Sequence, residues 1–416
     1  MLAGMTERRP GPTPADRRAR RAVGALFFTN GALYANLIPR YPEIKDHLGL
    51  DNVAYGFAVA AFPLGAIVAG LGAAALIRRF GSARVAVAGT ILTGLAIFGA
   101  GLAPTVALLA VALFVGGAMD AFTDVGQNAH GLRVQRNYSR SIINSFHALW
   151  SIGAVSGGLM AAAAITSGVP LGYHLAIVAV VFSAVALVAL RYCLPGRSAE
   201  PVRAPGRPPG RVEGRRPSAR LVLTITALVL IAIAGTTIED AGYSWATLYL
   251  SGTLGAPAAI APAGYVALVG GQFLGRLVGD RTVDRFGQRA VARSGGAVAA
   301  IGLGLALAFP SIPGTILGFA AAGLGVATLV PAAMHEADEL PGLRRGTGLT
   351  LVSWLMRVGF LFSPPLVGLI ADTAGLRFGL LVVPVAGVAV VLLARVLADH
   401  RANLRPGAGL ATQSGA

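Results

Sequence analysis

The chain has very few of the residues on which metal proteins and nucleotide-driven enzymes depend. Its one cysteine, Cys193, excludes an intramolecular disulfide and a cysteine-rich metal site. Its one lysine, Lys45, has no glycines before it, so the sequence carries no phosphate-binding loop of the Gly-x4-Gly-Lys type. Charged residues make up only 12% of the chain. We therefore predict no metal site, no ATP-binding loop of that kind and no cofactor.

Apolar sequence, in contrast, is abundant. Hydrophobic residues make up 55% of the 416 positions, which is too much for the surface of a soluble protein. Apolar runs of about 20 residues recur, each long enough to cross a hydrocarbon core of about 30 Å as a helix. Lipid offers no partner for unpaired backbone groups, and the short alternating segments typical of a barrel do not occur. The sequence predicts an all-α membrane protein.

The apolar runs form twelve predicted spans in two groups of six. The stretch between the groups is rich in Pro, Gly and Arg and is typical of a polar tether. We expect no cleavable signal peptide, because arginines abut a full-length first span that lacks a small-residue cleavage site. The predicted spans are 22–40, 53–77, 85–103, 105–130, 142–167, 171–194, 220–249, 259–281, 289–309, 313–334, 347–371 and 376–398. The predicted organisation is an N-terminal tail (1–21), an N-terminal six-helix bundle (22–194), a linker (195–219), a C-terminal six-helix bundle (220–398) and a C-terminal tail (399–416).

The net charge of +16 follows the predicted loops. Arginines cluster before the first span, in alternate loops and after the last span, whereas the intervening loops are nearly free of them. This alternation is the positive-inside rule, and it places both termini and the linker in the cytoplasm. The basic excess therefore indicates topology, and we expect no nucleic-acid partner.

The two halves of the chain match when one is shifted by 206 positions. Residues 79–81 and 285–287 both read Arg-Phe-Gly, and Gly89 falls on Gly295 in the same register. A long hydrophobic chain made of two equal halves is typical of a transporter that rocks one half against the other.

Twelve spans in two related halves, with a charged turn between the second and third span of each half, resemble the major facilitator superfamily. The family's turn motif is Gly-x-x-x-Asp-Arg-x-Gly-Arg-Arg. Residues 275–289 keep its centre, whereas Arg78 stands in the first half where the family has an acid. The resemblance implies two pseudo-symmetric six-helix bundles and transport by alternating access. It also implies that residues at the cytoplasmic end of span eight act in gating, namely Arg276, Asp280, Asp284 and Arg285, with Asp284 carrying most of the cytoplasmic lock.

A second stretch of the sequence resembles one branch of this family. Residues 144–151, followed by three glycines, are similar to a branch of bacterial facilitators. This similarity implies a multi-pass protein of the bacterial cytoplasmic (inner) membrane, working in the lipid bilayer as a functional monomer.

The acidic residues inside predicted span four have apolar residues at the matching positions of the other half. Those inside predicted span seven have no acidic residue at the matching positions. An acid in hydrocarbon costs at least about 2.5–3.5 kcal/mol, so these side chains should face a cavity or a partner. Since no ATP-binding loop is present, a proton gradient is the default driving force. The sequence does not decide which of these acids gains and loses the proton. His147 is consistent with a titratable pair with Asp124 and also with a neutral histidine packed between helices. The proton-coupling candidates are Asp120, Asp124, Glu239, Asp240 and His147.

Arg357 lies about ten residues into span eleven, which is about 15 Å deep and close to the midplane. A guanidinium at that depth needs a carboxylate from the protein or an anionic group from the substrate. Amides, aromatics and acids nearby suit an amphipathic organic molecule with a charged group. The substrate-binding candidates are Asn30, Tyr34, Gln127, Asn128, Tyr243, Gln272, Trp354 and Arg357.

We therefore expect a proton-coupled secondary transporter of a small organic molecule, and no enzyme. Export is narrowly favoured, because residues 153–158 match the family's antiporter motif except for its proline, although the same glycines suit close helix packing. The alternative is a proton-coupled uptake permease for a sugar or organic anion. A polytopic membrane enzyme and a transport-like receptor are remote alternatives, because the outer loops are short and no large soluble domain is evident.

Overall fold

The protein is described from a computed structural model, and every regular element among its described residues is a helix. The all-α prediction is therefore confirmed. The predicted linker and both predicted tails fall largely outside the described residues. The described residues are 12–138, 142–196, 218–340, 343 and 347–397.

The chain divides into two compact units. Unit 1 comprises Met1–Leu50 and Phe57–Gly210. Unit 2 comprises Asp51–Gly56 and Arg211–Ala416. The short segment Asp51–Gly56 thus belongs to unit 2, although the sequence analysis placed it within the N-terminal bundle, 22–194.

The helices of unit 1 begin with α1, whose start has a complete capping box. The Thr13 side chain accepts from the Asp16 backbone N–H, the Asp16 side chain accepts from the Thr13 N–H, and Pro14 occupies the first helical position. The eight helices that lie wholly or mainly in this unit are α1 Pro14–Leu37, α2 Tyr41–His47, α3 Asn52–Gly70, α4 Ala73–Phe80, α5 Ser82–Gly101, α6 Val106–Gln135, α7 Ile143–Thr166 and α8 Leu171–Tyr192.

The helices of unit 2 begin with α9, which is capped by the Ser218 side chain accepting from the Leu221 N–H. After α9 the chain continues through one π-helical turn, Tyr249–Thr253. The helices of this unit are α9 Ala219–Leu248, α10 Ala263–Phe286, α11 Gln288–Ala308, α12 Ile312–Val326, α13 Leu329–Asp338, α14 Thr347–Leu355, α15 Arg357–Ala374, α16 Leu376–Gly379 and α17 Val382–Leu393.

Ten helical segments in the described ranges are long and apolar enough to cross a membrane. The remaining two of the twelve predicted spans correspond to α1 and α10, which have 24 residues each but carry charged residues at one end. Four predicted spans are interrupted. The second divides into α3 and α4 at Leu71-Gly72, the tenth into α12 and α13, the eleventh into α14 and α15, and the twelfth into α16 and α17.

The internal repeat is visible in the backbone. Gly81 has φ 89° and ψ 147°, and Gly287, 206 positions later, has φ 84° and ψ 156°. Positive φ is the region that glycine adopts without a steric penalty, so both turns require it. Before each glycine an arginine lies over the neighbouring phenylalanine ring, at 5.3 Å in residues 79–80 and 5.2 Å in residues 285–286.

Helix packing is duplicated as well. A Cβ on Gly117 would collide with the carbonyl oxygen of Phe62, and a Cβ on Gly323 would collide with that of Leu268. Both members of these pairs are separated by the same 206 positions. Small residues let helix backbones approach closely in lipid, so the two bundles are pseudo-symmetric in their contacts as well as their turns.

Candidate functional site

Asn30 of α1 is the centre of a polar network inside unit 1. Its Nδ2 donates a 2.6 Å hydrogen bond to Oδ1 of Asp120 on α6. Its Oδ1 accepts from Nε1 of Trp150 on α7 at 2.9 Å and from Nε2 of Gln127 at 3.2 Å. Asn30 and Gln127 are buried, and Asp120 and Trp150 are half-buried. One amide thus joins three helices of the bundle.

The sequence analysis named Asn30, Asp120 and Gln127 but missed Trp150. An indole N–H buried in an apolar setting needs an acceptor. Trp150 lies well inside the predicted fifth span, so its depth is the signal that could have identified it. In the described part of the chain, Oε1 of Gln127 is buried without a hydrogen-bond partner, which leaves an acceptor beside the network.

The other two candidate residues of α6, Asp124 and Asn128, lie outside this network. Nδ2 of Asn128 donates to Oδ1 and to the backbone oxygen of Asp124, both at 2.9 Å, and Asp124 is exposed. Helix geometry explains the division. Asp120 and Gln127 lie within about 20° of each other around the axis, whereas Asn128 is turned by about 80° from Asp120.

His147 and Phe27 meet edge to face, with ring centroids 5.2 Å apart. His147 is exposed. Its contact with Phe27 is consistent with the helix packing that the sequence analysis named as one alternative. The titratable pair with Asp124 stays a prediction.

Tyr34 belongs to an aromatic cluster of unit 1. Its hydroxyl lies 2.7 Å from the hydroxyl of Tyr41, and its ring stacks on Phe62 with centroids 4.0 Å apart. Tyr34 is half-buried. The cluster fixes the ring at a position one turn along α1 from Asn30, so both predicted residues share one helix face.

Tyr243 of α9 is the centre of the polar cluster in unit 2. Its hydroxyl lies 2.7 Å from Oε1 of Glu239 and 3.1 Å from Oε1 of Gln272 on α10. The hydroxyl has one hydrogen, which it donates to one of these oxygens at a time. Its ring meets Tyr265 edge to face at 5.6 Å. Three predicted residues are thus brought together.

Asp240 points away from that cluster although it follows Glu239 in the chain. It is buried, and its Oδ1 accepts a long 3.4 Å hydrogen bond from Ser244. Its Oδ2 is buried without a hydrogen-bond partner among the described residues. A buried carboxyl oxygen with no partner is costly, so Asp240 stays a candidate for proton coupling.

Arg357 stands at a break in the predicted eleventh span. The helix α14 ends at Leu355, Met356 forms a turn, and Arg357 is the first residue of α15. The hydroxyl of Thr236 on α9 donates a 2.8 Å hydrogen bond to the Met356 carbonyl oxygen, which also accepts from the Gly359 N–H at 3.0 Å. The sequence analysis expected one continuous helix, and the close approach of α9 at Gly359 and Met356 accounts for the difference.

The break also separates two substrate-binding candidates, Trp354 and Arg357. Trp354 lies in the last turn of α14 and is exposed, whereas Arg357 is half-buried. The two residues therefore do not share one straight helix face, although their spacing of three residues would place them on one face of a continuous helix.

The four residues with predicted gating roles occupy the charged end of α10. All four are exposed. The guanidinium of Arg285 lies over the Phe286 ring at 5.2 Å, which orients the turn to α11. The four residues are Arg276, Asp280, Asp284 and Arg285.

A buried histidine that the sequence analysis did not single out lies at the other end of α6. Nε2 of His130 accepts a 3.2 Å hydrogen bond from the Leu194 N–H, so Nδ1 carries the hydrogen of the neutral ring and donates to Ser82 at 3.0 Å. Arg133 donates to the carbonyl of Gly196 at 2.8 Å. These contacts attach the beginning of the predicted linker to α5 and α6.

Within the described ranges, no group of three or more His, Cys, Asp or Glu side chains is placed to hold a metal ion.

Comparison with known proteins places this geometry in a family. The model of the Major Facilitator Superfamily matches residues 23–282 and 268–413. The uncharacterized transporter y4wD of Sinorhizobium fredii is 29% identical over 91% of this chain and 97% of its own length. The membrane protein MosC of Rhizobium meliloti is 28% identical over 94% of this chain and 93% of its own length.

A solved structure shows the same fold. A bacterial homologue of the human lysosomal transporter Spinster, in an inward-facing and unoccupied conformation, superposes with a TM-score of 0.71. The match covers 93% of this chain and 98% of that chain at 16% identity.

Proposed function

The chain belongs to the major facilitator superfamily, and we propose that, within this family of membrane transporters, it exports a small organic anion in exchange for protons. It carries a small-molecule substrate and is not an enzyme. The proposal adds the coupling ion, the charge of the substrate, the direction, a monomeric state and an inner-membrane location with both termini in the cytoplasm.

The observation that carries proton coupling is the hydrogen bond between Asp120 and Asn30 inside unit 1. Asp120 lies 14 residues into α6, about 21 Å along the helix, where a carboxyl depends on the state of its surroundings. Exposure to water on one side of the membrane favours the charged form, and closure around the group favours the neutral form. A carboxyl held by a neutral amide can therefore gain and lose a proton as access alternates.

Unit 2 supplies a second set of candidates. Glu239 is held by the Tyr243 hydroxyl, and Asp240 keeps one buried oxygen without a partner among the described residues. Each is suited to carry a proton, and Tyr243 and Gln272 add donors and acceptors for a substrate. In unit 1, Asp124 and His147 remain candidates for proton coupling, and Asn128 remains a candidate for substrate binding.

The charge of the substrate follows from Arg357. A broken membrane helix points the positive end of its second part at a ligand, and such ends receive anionic groups in transporters. Here the first residue of α15 is itself a guanidinium, which binds carboxylate or phosphate through two parallel hydrogen bonds. The arginine and the helix end together favour an anion.

Export is the direction that we propose, on the basis of the glycines at 153–158. The same glycines also pack α7 on α1, since a Cβ on Gly153 would collide with the Phe28 carbonyl and one on Gly157 with the Ala32 carbonyl. Uptake of an organic anion is therefore the second candidate, and Arg357 suits both directions.

The charged end of α10 has the gating role in this proposal. Asp284 and Arg285 are exposed at a turn that the repeat duplicates, whereas the polar clusters lie deeper along the helices. Charges at such a turn can stabilise one conformational state without touching the substrate. Asp284→Asn should thus slow turnover while leaving affinity largely intact.

Reconstitution of the full chain in proteoliposomes tests the proposal. A library of small organic acids and matched neutral amides is presented on either side, with and without an imposed pH gradient. We expect an organic acid to accumulate on the side that the gradient dictates for exchange with protons. A matched control is Asp46→Asn, which removes an exposed acid of α2 outside the predicted spans. Accumulation that ignores the pH gradient, or that favours neutral amides, contradicts the proposal.

A further inference from the structure

Two grooves flank the basic end of α1, and the transport mechanism uses neither. The larger, about 950 Å³, lies between α1 and α7. The smaller, about 550 Å³, lies between α1 and α8. Arg21, Ala25 and Val185 line both grooves.

The charges at the grooves all have one sign. Arg18 and Arg21 line the smaller groove, and Arg17, Arg20 and Arg21 line the larger. No acidic side chain lines either groove among the described residues. Asp16, the acid closest in the chain, is buried and accepts hydrogen bonds from Thr13 and Asn137.

Away from the arginines the smaller groove is apolar. Its floor is made of alanines of α1 and α8, and its wall includes Val188, which is 53% exposed, and Tyr192, which is 51% exposed. An exposed valine on a membrane helix faces acyl chains, and a tyrosine at a helix end is typical of the membrane interface. A cationic head region thus leads directly into an apolar channel along the helix.

We propose that this groove binds an anionic phospholipid, with its phosphate on Arg18 and Arg21 and an acyl chain along Ala25, Val185 and Val188. Basic pockets between membrane helices on the cytoplasmic side suit anionic head groups. Arginine binds phosphate through paired hydrogen bonds. A soluble phosphate would satisfy the arginines but would leave the apolar channel without an occupant, so the lipid is the ligand that fits both parts.

The test uses the purified full chain in detergent, and native mass spectrometry counts the bound lipids. Phosphatidylglycerol is the anionic probe and phosphatidylcholine the neutral one. We expect the chain to retain phosphatidylglycerol selectively. Each arginine near a membrane surface strengthens such binding by about fivefold, so Arg18→Gln with Arg21→Gln should weaken it by about 25-fold. Arg21→Lys should keep most of the affinity, because the charge remains.

The matched control is Arg191→Gln, which removes an exposed arginine from the same end of α8 but outside the groove lining. It should leave lipid binding unchanged. Val185→Trp fills the groove and keeps every arginine, so it should also release the lipid. Equal binding of the two lipids, or unchanged binding in the double arginine variant that still elutes as wild type, overturns the proposal. Displacement of the lipid by millimolar inorganic phosphate, with no effect of Val185→Trp, assigns the arginines to a soluble anion and overturns it too.

Discussion

Asn30 and Asp120 are joined by a 2.6 Å hydrogen bond between two helices of unit 1. Their counterparts 206 positions later are Thr236 and Val326, so the second half has no acid at the matching place. The Thr236 hydroxyl instead donates to the Met356 carbonyl oxygen beside Arg357. The position that holds the partner of a carboxyl in one bundle thus holds a hydroxyl beside a broken helix in the other.

Asp120→Asn should abolish accumulation driven by a pH gradient while sparing exchange of substrate at equal pH. The asparagine keeps an acceptor for Nδ2 of Asn30 but has no titratable proton. Proteoliposome uptake with and without the gradient measures both activities. Asp46→Asn is the control and should behave as wild type. If Asp120→Asn still concentrates substrate with an unchanged pH dependence, the coupling acid lies elsewhere.

Trp150→Phe should lower the stability of the protein by about 1 kcal/mol. A smaller aromatic ring remains, and Oδ1 of Asn30 loses one of its two donors. The measurement is the thermal unfolding midpoint of the purified chain in detergent. Trp354→Phe is the matched control, because Trp354 is 56% exposed, and it should leave the midpoint unchanged. Equal midpoints for wild type and Trp150→Phe would show that the network adds no stability.

Gly287→Ala should destabilise unit 2 by about 1 kcal/mol or more, because its φ of 84° is unfavourable for any residue with a Cβ. Gly270→Ala is the control within α10. A Cβ there meets nothing within 4 Å, so the better helix former should be neutral or slightly stabilising. Thermal unfolding compares the two. A stable Gly287→Ala variant would contradict the view that this turn needs a left-handed residue.

Asp16, ahead of the first predicted span, gives a pH-dependent prediction. Hydrogen bonds from the Thr13 side chain, from Asn137 and from the Thr13 backbone hold the pKa of its carboxyl below the ordinary 3.8. A carboxyl whose pKa is lower when folded stabilises the fold above pH 3.8, and this stabilisation is lost as the pH falls through the folded pKa. Asn137→Ala removes one donor at 2.7 Å and should lower the unfolding midpoint at neutral pH.

The difference between wild type and Asn137→Ala should be constant above about pH 5 and should narrow below about pH 4. Thermal unfolding across that range measures it. Asn144→Ala, an exposed amide at the start of α7, is the control and should show no pH-dependent difference. A difference between wild type and Asn137→Ala that stays constant down to about pH 3 would assign the role of Asn137 to packing alone.

Much of the scaffold could be predicted from the sequence because membrane physics leaves few choices. Hydrophobic length predicted the helices, and the 206-position repeat predicted the equivalent turns at Gly81 and Gly287. Side-chain partners were harder. Asn30 and Asp120 are 90 residues apart, and only the packing of α1 on α6 brings them together.

The helix break at Met356 was not predictable from hydrophobicity, because the helices on both sides of it are apolar. At the break a hydroxyl from α9 donates to the Met356 carbonyl oxygen, and such a contact between helices has no local sequence pattern. Trp150 was missed for a related reason. Its indole N–H needs an acceptor, but nothing near it in the sequence indicates that Asn30 supplies one.

The position of Arg357 at the helix break leads to a specific prediction about substrate binding. As the first residue of α15 it combines its own charge with the positive end of the helix, so an anionic substrate should gain from both. Arg357→Gln should weaken binding of the organic acid by about 10- to 100-fold, the range expected for a hydrogen bond to a charged group. Arg357→Lys should fall in between, because it keeps the charge but loses the paired geometry.

Competition binding with the acid and its neutral amide separates a charge effect from misfolding. In wild type the acid should bind more tightly than the amide, and in Arg357→Gln the two should bind equally, with amide affinity preserved. If the acid keeps its advantage in Arg357→Gln, the guanidinium binds a carboxylate of the protein, and the substrate's charge is recognised elsewhere.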